Sequence, residues 1–250
     1  LEDANVQVED CVFRANVATG SGGALANFAS DPVVRNTVFE ANAAIGNVGG
    51  AVLNAGGNPL YTSCLFLANS ADRLSGGAVA NTPVDTEGDG GAKQTVDLNA
   101  DFVNCVFFGN SAFDAGGAIT ADRATLGITN CTVFGNDAAN GGGLGLFNAN
   151  VTVRNTIIWN NTGGPIVQSG TFLGVAFSNI EGGFAGDSNL DAAPRLRNPA
   201  GGDFRLRADS PNIDAGTANG APNTDFEGDA RPFGPAFDIG ADEFTGAIGG

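Results

Sequence analysis

Histidine and methionine are absent from this 250-residue sequence, and lysine (Lys93), tryptophan (Trp159) and tyrosine (Tyr61) occur once each. Without histidine, and with no C-x-x-C pair among the four cysteines, zinc lacks its usual ligands. No apolar run approaches the roughly 20 residues that cross a bilayer as a helix, so no membrane span is expected. Cations are scarce: Lys and Arg total 11 against 27 Asp and Glu, a net charge of -16. Such a chain repels phosphate backbones, which argues against nucleic acid as a partner. Acidity instead suits solubility, calcium or a salty medium. The sequence has no initiator Met, signal peptide or sorting tail, as expected of a mature or excised piece. Apolar residues (42%) suffice for a core in one large or two small domains, and glycine is abundant at 39 residues.

The glycines are periodic. Gly-Gly pairs aligned at Gly22, Gly49, Gly76, Gly116 and Gly142 give steps of 27, 27, 40 and 26 residues. Upstream of them recur "CVFRAN" from Cys11, "TVFEAN" from Thr37, "CLFLAN" from Cys64, "CVFFGN" from Cys105 and "CTVFGN" from Cys131, with a degenerate "TIIWNN" from Thr156. A period of this size marks a solenoid or array whose units cannot each bury an apolar face alone. Gly, Asn, Thr and Val in short alternating segments exclude helical repeats and indicate strands. The prediction is an all-β fold: a right-handed parallel β-helix of about six to seven rungs, spaced about 4.8 Å apart.

Stacking the rungs places Phe13, Phe39, Phe66 and Phe107 in one inward ladder, continued by Val133 and Ile158, with polar residues outside. Asn16, Asn42, Asn69, Asn110, Asn136 and Asn161 share one register, suited to left-handed turns and to amide hydrogen bonds between rungs. The Gly-Gly pairs suit a turn that a Cβ could not occupy. These repeated residues are read as scaffold rather than catalytic machinery. Cys11, Cys64, Cys105 and Cys131 fall on an inward ladder with Thr37 and Thr156 and are expected to be buried. Cys11 and Cys64, two rungs or near 10 Å apart, are too distant for a disulfide, whereas Cys105 and Cys131 lie on neighbouring rungs. The triplets at Asn130, Asn150 and Asn160 that match a glycosylation signal arise readily by chance in an Asn-rich repeat.

The pattern breaks twice. An insertion over residues 82–100 contains "DTEGDG", with Asp85, Glu87 and Asp89 at alternate positions, and "DFEGD" repeats that spacing at Asp225, Glu227 and Asp229. Carboxylates so spaced in a turn can converge on calcium, although the twelfth-position Glu of an EF-hand loop is replaced by Val96. After the repeats of residues 1–185, residues 186–250 are rich in Pro and Asp, and a cap over the last rung is expected there. "NVQVEDCVF" begins a rung almost at once, so either upstream rungs were removed or a neighbouring molecule covers the first edge.

The GGA[LVI] and FxxN signatures, as in "GGAL", "GGAV", "GGAI", "FRAN", "FEAN", "FLAN" and "FFGN", resemble the repeats of polymorphic outer membrane proteins over residues 5–165; the fifth repeat departs with "GGLG" and "VFGN". The tail motifs "SPNIDAG", "TDFEGDARP" and "DIGADE" resemble the choice-of-anchor Q domain of secreted bacterial β-helix proteins. These resemblances imply a β-helical adhesin that is secreted or associated with the cell surface. They name no reaction.

The leading expectation is therefore a non-enzymatic adhesive or structural protein, extracellular or at the cell surface. Its partners would be its own copies stacked head to tail into a filament, or extracellular glycans or proteins. One alternative is a polysaccharide lyase or glycosidase using Asp114, Asp137 and Arg123, if two carboxylates stand about 5 to 9 Å apart. Another is a calcium-dependent glycan-binding module centred on the Asp85 loop.

Overall fold

The computed structural model describes residues 4–87 and 93–246. They form an all-β parallel solenoid of about six turns. Each turn contributes short strands to four stacked sheets. The first sheet runs from Gln7–Glu9 to Phe172–Ala176 and the second from Val12–Arg14 to Asn179–Ile180, with seven strands each. The third runs from Val17–Ala18 to Ser111–Ala112 with four, and the fourth from Leu25–Phe28 to Ile166–Ser169 with six. The insertion is an antiparallel hairpin, Val84–Glu87 against Lys93–Val96. It leaves and rejoins one corner without shifting register, because Phe102 still pairs Tyr61.

The core follows from in-register stacking. Phe13, Phe39, Phe66, Phe107, Val133, Ile158 and Ile180 are successive partners in the second sheet. Their four rings stack with centroids 5.0, 4.9 and 4.6 Å apart and planes within 5°. These spacings fall in the range that offset-stacked aromatic pairs favour; the rung spacing sets them, and burial adds about 1.5–3 kcal/mol per large side chain to the stack. Tyr61 and Phe102 stack beside it at 5.1 Å and meet Phe66 and Phe107 edge-on.

The asparagine register forms a continuous amide ladder. Nδ2 of Asn16, Asn42, Asn69, Asn110 and Asn136 each donates to Oδ1 of the next member at 2.9–3.0 Å. From Asn42 onward Nδ2 also donates to a carbonyl of the preceding turn, beginning with Phe13 O. Each interior amide is thereby satisfied by its neighbours, which makes burial tolerable. The left-handed residue is not this Asn but the one before it: Ala15, Ala41, Ala68, Gly109, Gly135 and Asn160 have φ between 51° and 65°. Asn thus serves as an inward hydrogen-bonding group, and its tolerance of positive φ is used elsewhere.

Three cysteines, Cys64, Cys105 and Cys131, are buried as expected; Cys11, on the first turn, is exposed, and all four are free thiols. Burial and neighbouring thiols explain their column. The hydrogen bond with Cys105, then burial, raises the Cys64 thiol well above its ordinary range, and burial does the same first at Cys105. Each Sγ donates to the carbonyl two residues back, as Thr37, Thr156 and Ser178 do through Oγ. A short donor is what the position requires, so the three residue types interchange. In the fifth repeat the left-handed glycine is Gly141 rather than Gly142, because Leu144 pairs Ile119. Gly142 instead occupies the tight second position, where a Cβ would lie 2.0 Å from Thr162 O.

Two expectations about the exterior change. The outer face of the second sheet is largely apolar, carrying Val38, Leu65, Val106, Thr132 and Ile157 in one column and Leu67, Phe108, Phe134 and Trp159 in another. The reason is the tail. Residues 181–192 fold over part of the last turn, with Phe184 against the core and Leu190 hydrogen-bonded to Ser178 and Ile180. The chain then turns back along the solenoid's side. Leu196, Leu206 and Ile239 pack with Ile157, and Phe204 and Ala241 pack with Val106.

Candidate binding groove

The corner between the first and second sheets is a column of left-handed residues: Asp10, Asn36, Ser63, Asn104, Asn130, Asn155 and Phe177, with φ between 47° and 53°. Asn and Asp tolerate this conformation better than other side chains with a Cβ. The tail covers the later part of the column. Asn104 Nδ2 donates to Thr224 O at 2.7 Å, Asn130 Nδ2 to Asp238 O at 3.2 Å and Asn155 Nδ2 to Thr217 O at 2.8 Å. Asn155 Oδ1 also accepts from Thr217 N at 2.9 Å. Three amides on three turns thus fix the path of an irregular chain. The signal was present in the sequence, because each of these asparagines immediately precedes a Cys or Thr of the inward ladder.

The tail stops short of the first turns. Between its Thr224–Gly228 segment and Asp10, Asn36, Val38, Ser63 and Leu65 lies a groove of about 540 Å³, within the range of ligand pockets. Val12, farther along the same outward column, is 60% exposed.

The tail motifs build the groove's far wall through a buried charged network. Arg231 and Glu243, both with fully buried side chains, pair at 3.0 Å. Glu243 also accepts from Phe233 N and Asp238 N. Asp238 accepts from Asp214 N and Phe244 N, and Asp242 from Leu206 N, each at 2.7 Å. Burial raises Asp238 to about 6 and Asp242 to about 7, and lowers the Arg231 guanidinium. The acidic motif residues hold the tail's own loops together.

Asp225, Glu227 and Asp229 bring carboxylate oxygens within 4.8 Å of one another. Both oxygens of buried Asp225 are engaged, Oδ1 by Glu227 N and Asp229 N and Oδ2 by Glu243 N. Partial burial raises Glu227. Two exposed carboxylates beside one engaged carboxylate supply part of the roughly six to eight oxygens calcium takes, and water would complete the set. In the hairpin, Asp85 Oδ1 accepts from Thr95 Oγ1 at 2.8 Å and Glu87 lies opposite Lys93; Asp89 is outside the described residues. Asp85 and Glu87 therefore stand on an extended strand.

The carboxylates considered for sugar cleavage are out of phase: Asp137 aligns with Ser111, and Asn140 aligns with Ala115, the residue after Asp114. Arg123 pairs with Asp122 at 3.3 Å. No family model matches the chain, and neither any curated protein nor any solved structure does.

Proposed function

We propose that this protein is a secreted or cell-surface, non-enzymatic adhesive protein, whose solenoid displays a lateral recognition surface. The observation that carries this reading is the groove, where a polar corner and an apolar strip emerge together from beneath the tail. The resemblances to polymorphic outer membrane protein repeats and to the choice-of-anchor Q domain support it. The repeated polar side chains are consumed in structural ladders, which suits a rigid display scaffold. For the filament reading, residues 181–192 fold over the Phe177–Ile180 side of the last turn, while Ile166–Ser169 and Phe172–Ala176 have no further strand partner among the described residues and would be the edge a second copy meets.

The test is to screen the purified chain against immobilised extracellular glycans and peptides, in calcium and in chelator, while assaying polysaccharides for new reducing or unsaturated ends. Saturable retention without cleavage is the expected result. Cleavage would replace this reading with the lyase or glycosidase. Retention lost only in chelator would bring calcium back into the account.

A further inference from the structure

Polypeptide already occupies part of the surface that forms the groove. Asn104, Asn130 and Asn155 share one corner and one left-handed conformation, and each donates its amide to a backbone carbonyl of the tail. Asn36 holds the same corner two turns before Asn104, at φ 47°. It is exposed at the groove's lining, and its amide has no hydrogen-bonding partner among the described residues. Beside it the outward column of Val38 and Leu65 continues the apolar strip that Phe204, Phe226 and Ala241 of the tail cover farther along.

We infer that the groove binds an extended peptide segment of another protein, laid beside Thr224–Gly228. One of its carbonyls accepts from Asn36 Nδ2, and a small apolar side chain rests on Val38 and Leu65. The occupant is peptide because that corner already presents its amides to main-chain carbonyls three times in this molecule. Its flanks are basic. Asp10 and Glu227 line the groove with exposed carboxylates, while Arg14, on the same outer face, is paired with Glu40 at 2.6 Å. A second copy of this chain fits less well, since two surfaces of a molecule with net charge -16 repel. The hollow over the fourth sheet, lined by Val48, Leu74, Ala80 and Phe147, has no comparable precedent within the fold.

This inference rests on the adhesive reading and can fail without it. The probe is a random dodecapeptide display library panned on the immobilised full chain, with selected peptides then synthesised and titrated. Enrichment of Lys or Arg flanking a small apolar residue is expected. Asn36→Gly deletes the amide and keeps the left-handed corner, so it should weaken binding about three- to tenfold with an unchanged melting curve. Val38→Glu should do the same, and Asp10→Asn should weaken basic peptides about threefold at low salt. Peptides that bind Asn36→Gly and Val38→Glu as tightly as the parent would overturn the site. So would a library showing no enrichment over a control protein. Glycan binding lost in the same two variants would overturn the peptide but keep the groove, whereas polysaccharide cleavage would remove the adhesive reading itself.

Discussion

The solenoid and the tail both bury polar groups, but by opposite means. Between Asn42 and Asn136 neutral amides satisfy one another through translation, each turn supplying what the last one needs. In the tail no such symmetry exists, and ionisable groups do the work: Arg231, Glu243, Asp225, Asp238 and Asp242 are all buried, and they hydrogen-bond backbone from distant loops. Repetition makes buried polarity inexpensive and independent of pH. An irregular segment has no neighbour of the same kind, so it draws on charge and becomes sensitive to acid and base.

The sharpest way to break this comparison is one deletion in each region. Phe66→Ala removes the middle of the ring stack and should cost about 3–5 kcal/mol by denaturant titration, in the transition that reports the β-solenoid. Glu243→Ala strands Arg231 and two backbone N–H groups, and a cost of about 3–5 kcal/mol should appear in the tail. Hydrogen exchange should then show faster exchange at residues 203–244 while residues 99–160 keep their protection. Equal loosening of both regions by Glu243→Ala would show that they are one cooperative unit.

Acidity separates the regions next. Asp238 and Asp242 hold their protons more tightly folded than unfolded. Their contribution is full below the ordinary aspartate range near 4 and is lost as pH rises through about 6 and about 7. The tail should therefore be more stable at pH 5 than at pH 8, by on the order of 4 kcal/mol. Asp242→Asn should flatten that slope and leave the solenoid unaffected. A tail more stable at pH 8 would contradict the account.

Smaller effects sharpen the junction between the regions. Asn130→Gly keeps the corner and removes one amide from the tail, so it should lower tail stability by about 1–2 kcal/mol. Within the solenoid, Cys131→Thr places in the inward ladder the residue already found at Thr37 and Thr156, and should change stability by less than about 1.5 kcal/mol. A larger loss would mean that the column selects sulfur for something beyond a short donor.

The contrast also explains what the sequence revealed. Phe39, Phe66, Phe107 and the Asn42–Asn136 ladder were legible because translation repeats one solution, so the period alone fixes the contacts. The side-packed tail was not. Its contacts join residues as distant as Asn104 and Thr224, and no local periodicity encodes such a pairing. Two clues were nevertheless present: apolar residues at outward positions such as Val106 and Ile157, and an Asn directly before the inward Cys or Thr. The groove could not be anticipated, because it exists only where the returning tail stops. The spacing of Asp225, Glu227 and Asp229 suggested a cation, but it equally serves a turn in which Asp225 accepts backbone N–H groups.

The central claim is that the tail turns back along the solenoid's side and leaves the groove open beside Leu65. A photoreactive leucine analogue at position 65 tests it most directly, since Leu65 packs in the same apolar cluster as Phe226. Irradiation, digestion and mass spectrometry should recover Leu65 joined to the Thr224–Gly228 segment. Recovery of links only to neighbouring turns of the solenoid, with none to the tail, would contradict the side-packed arrangement and the groove with it.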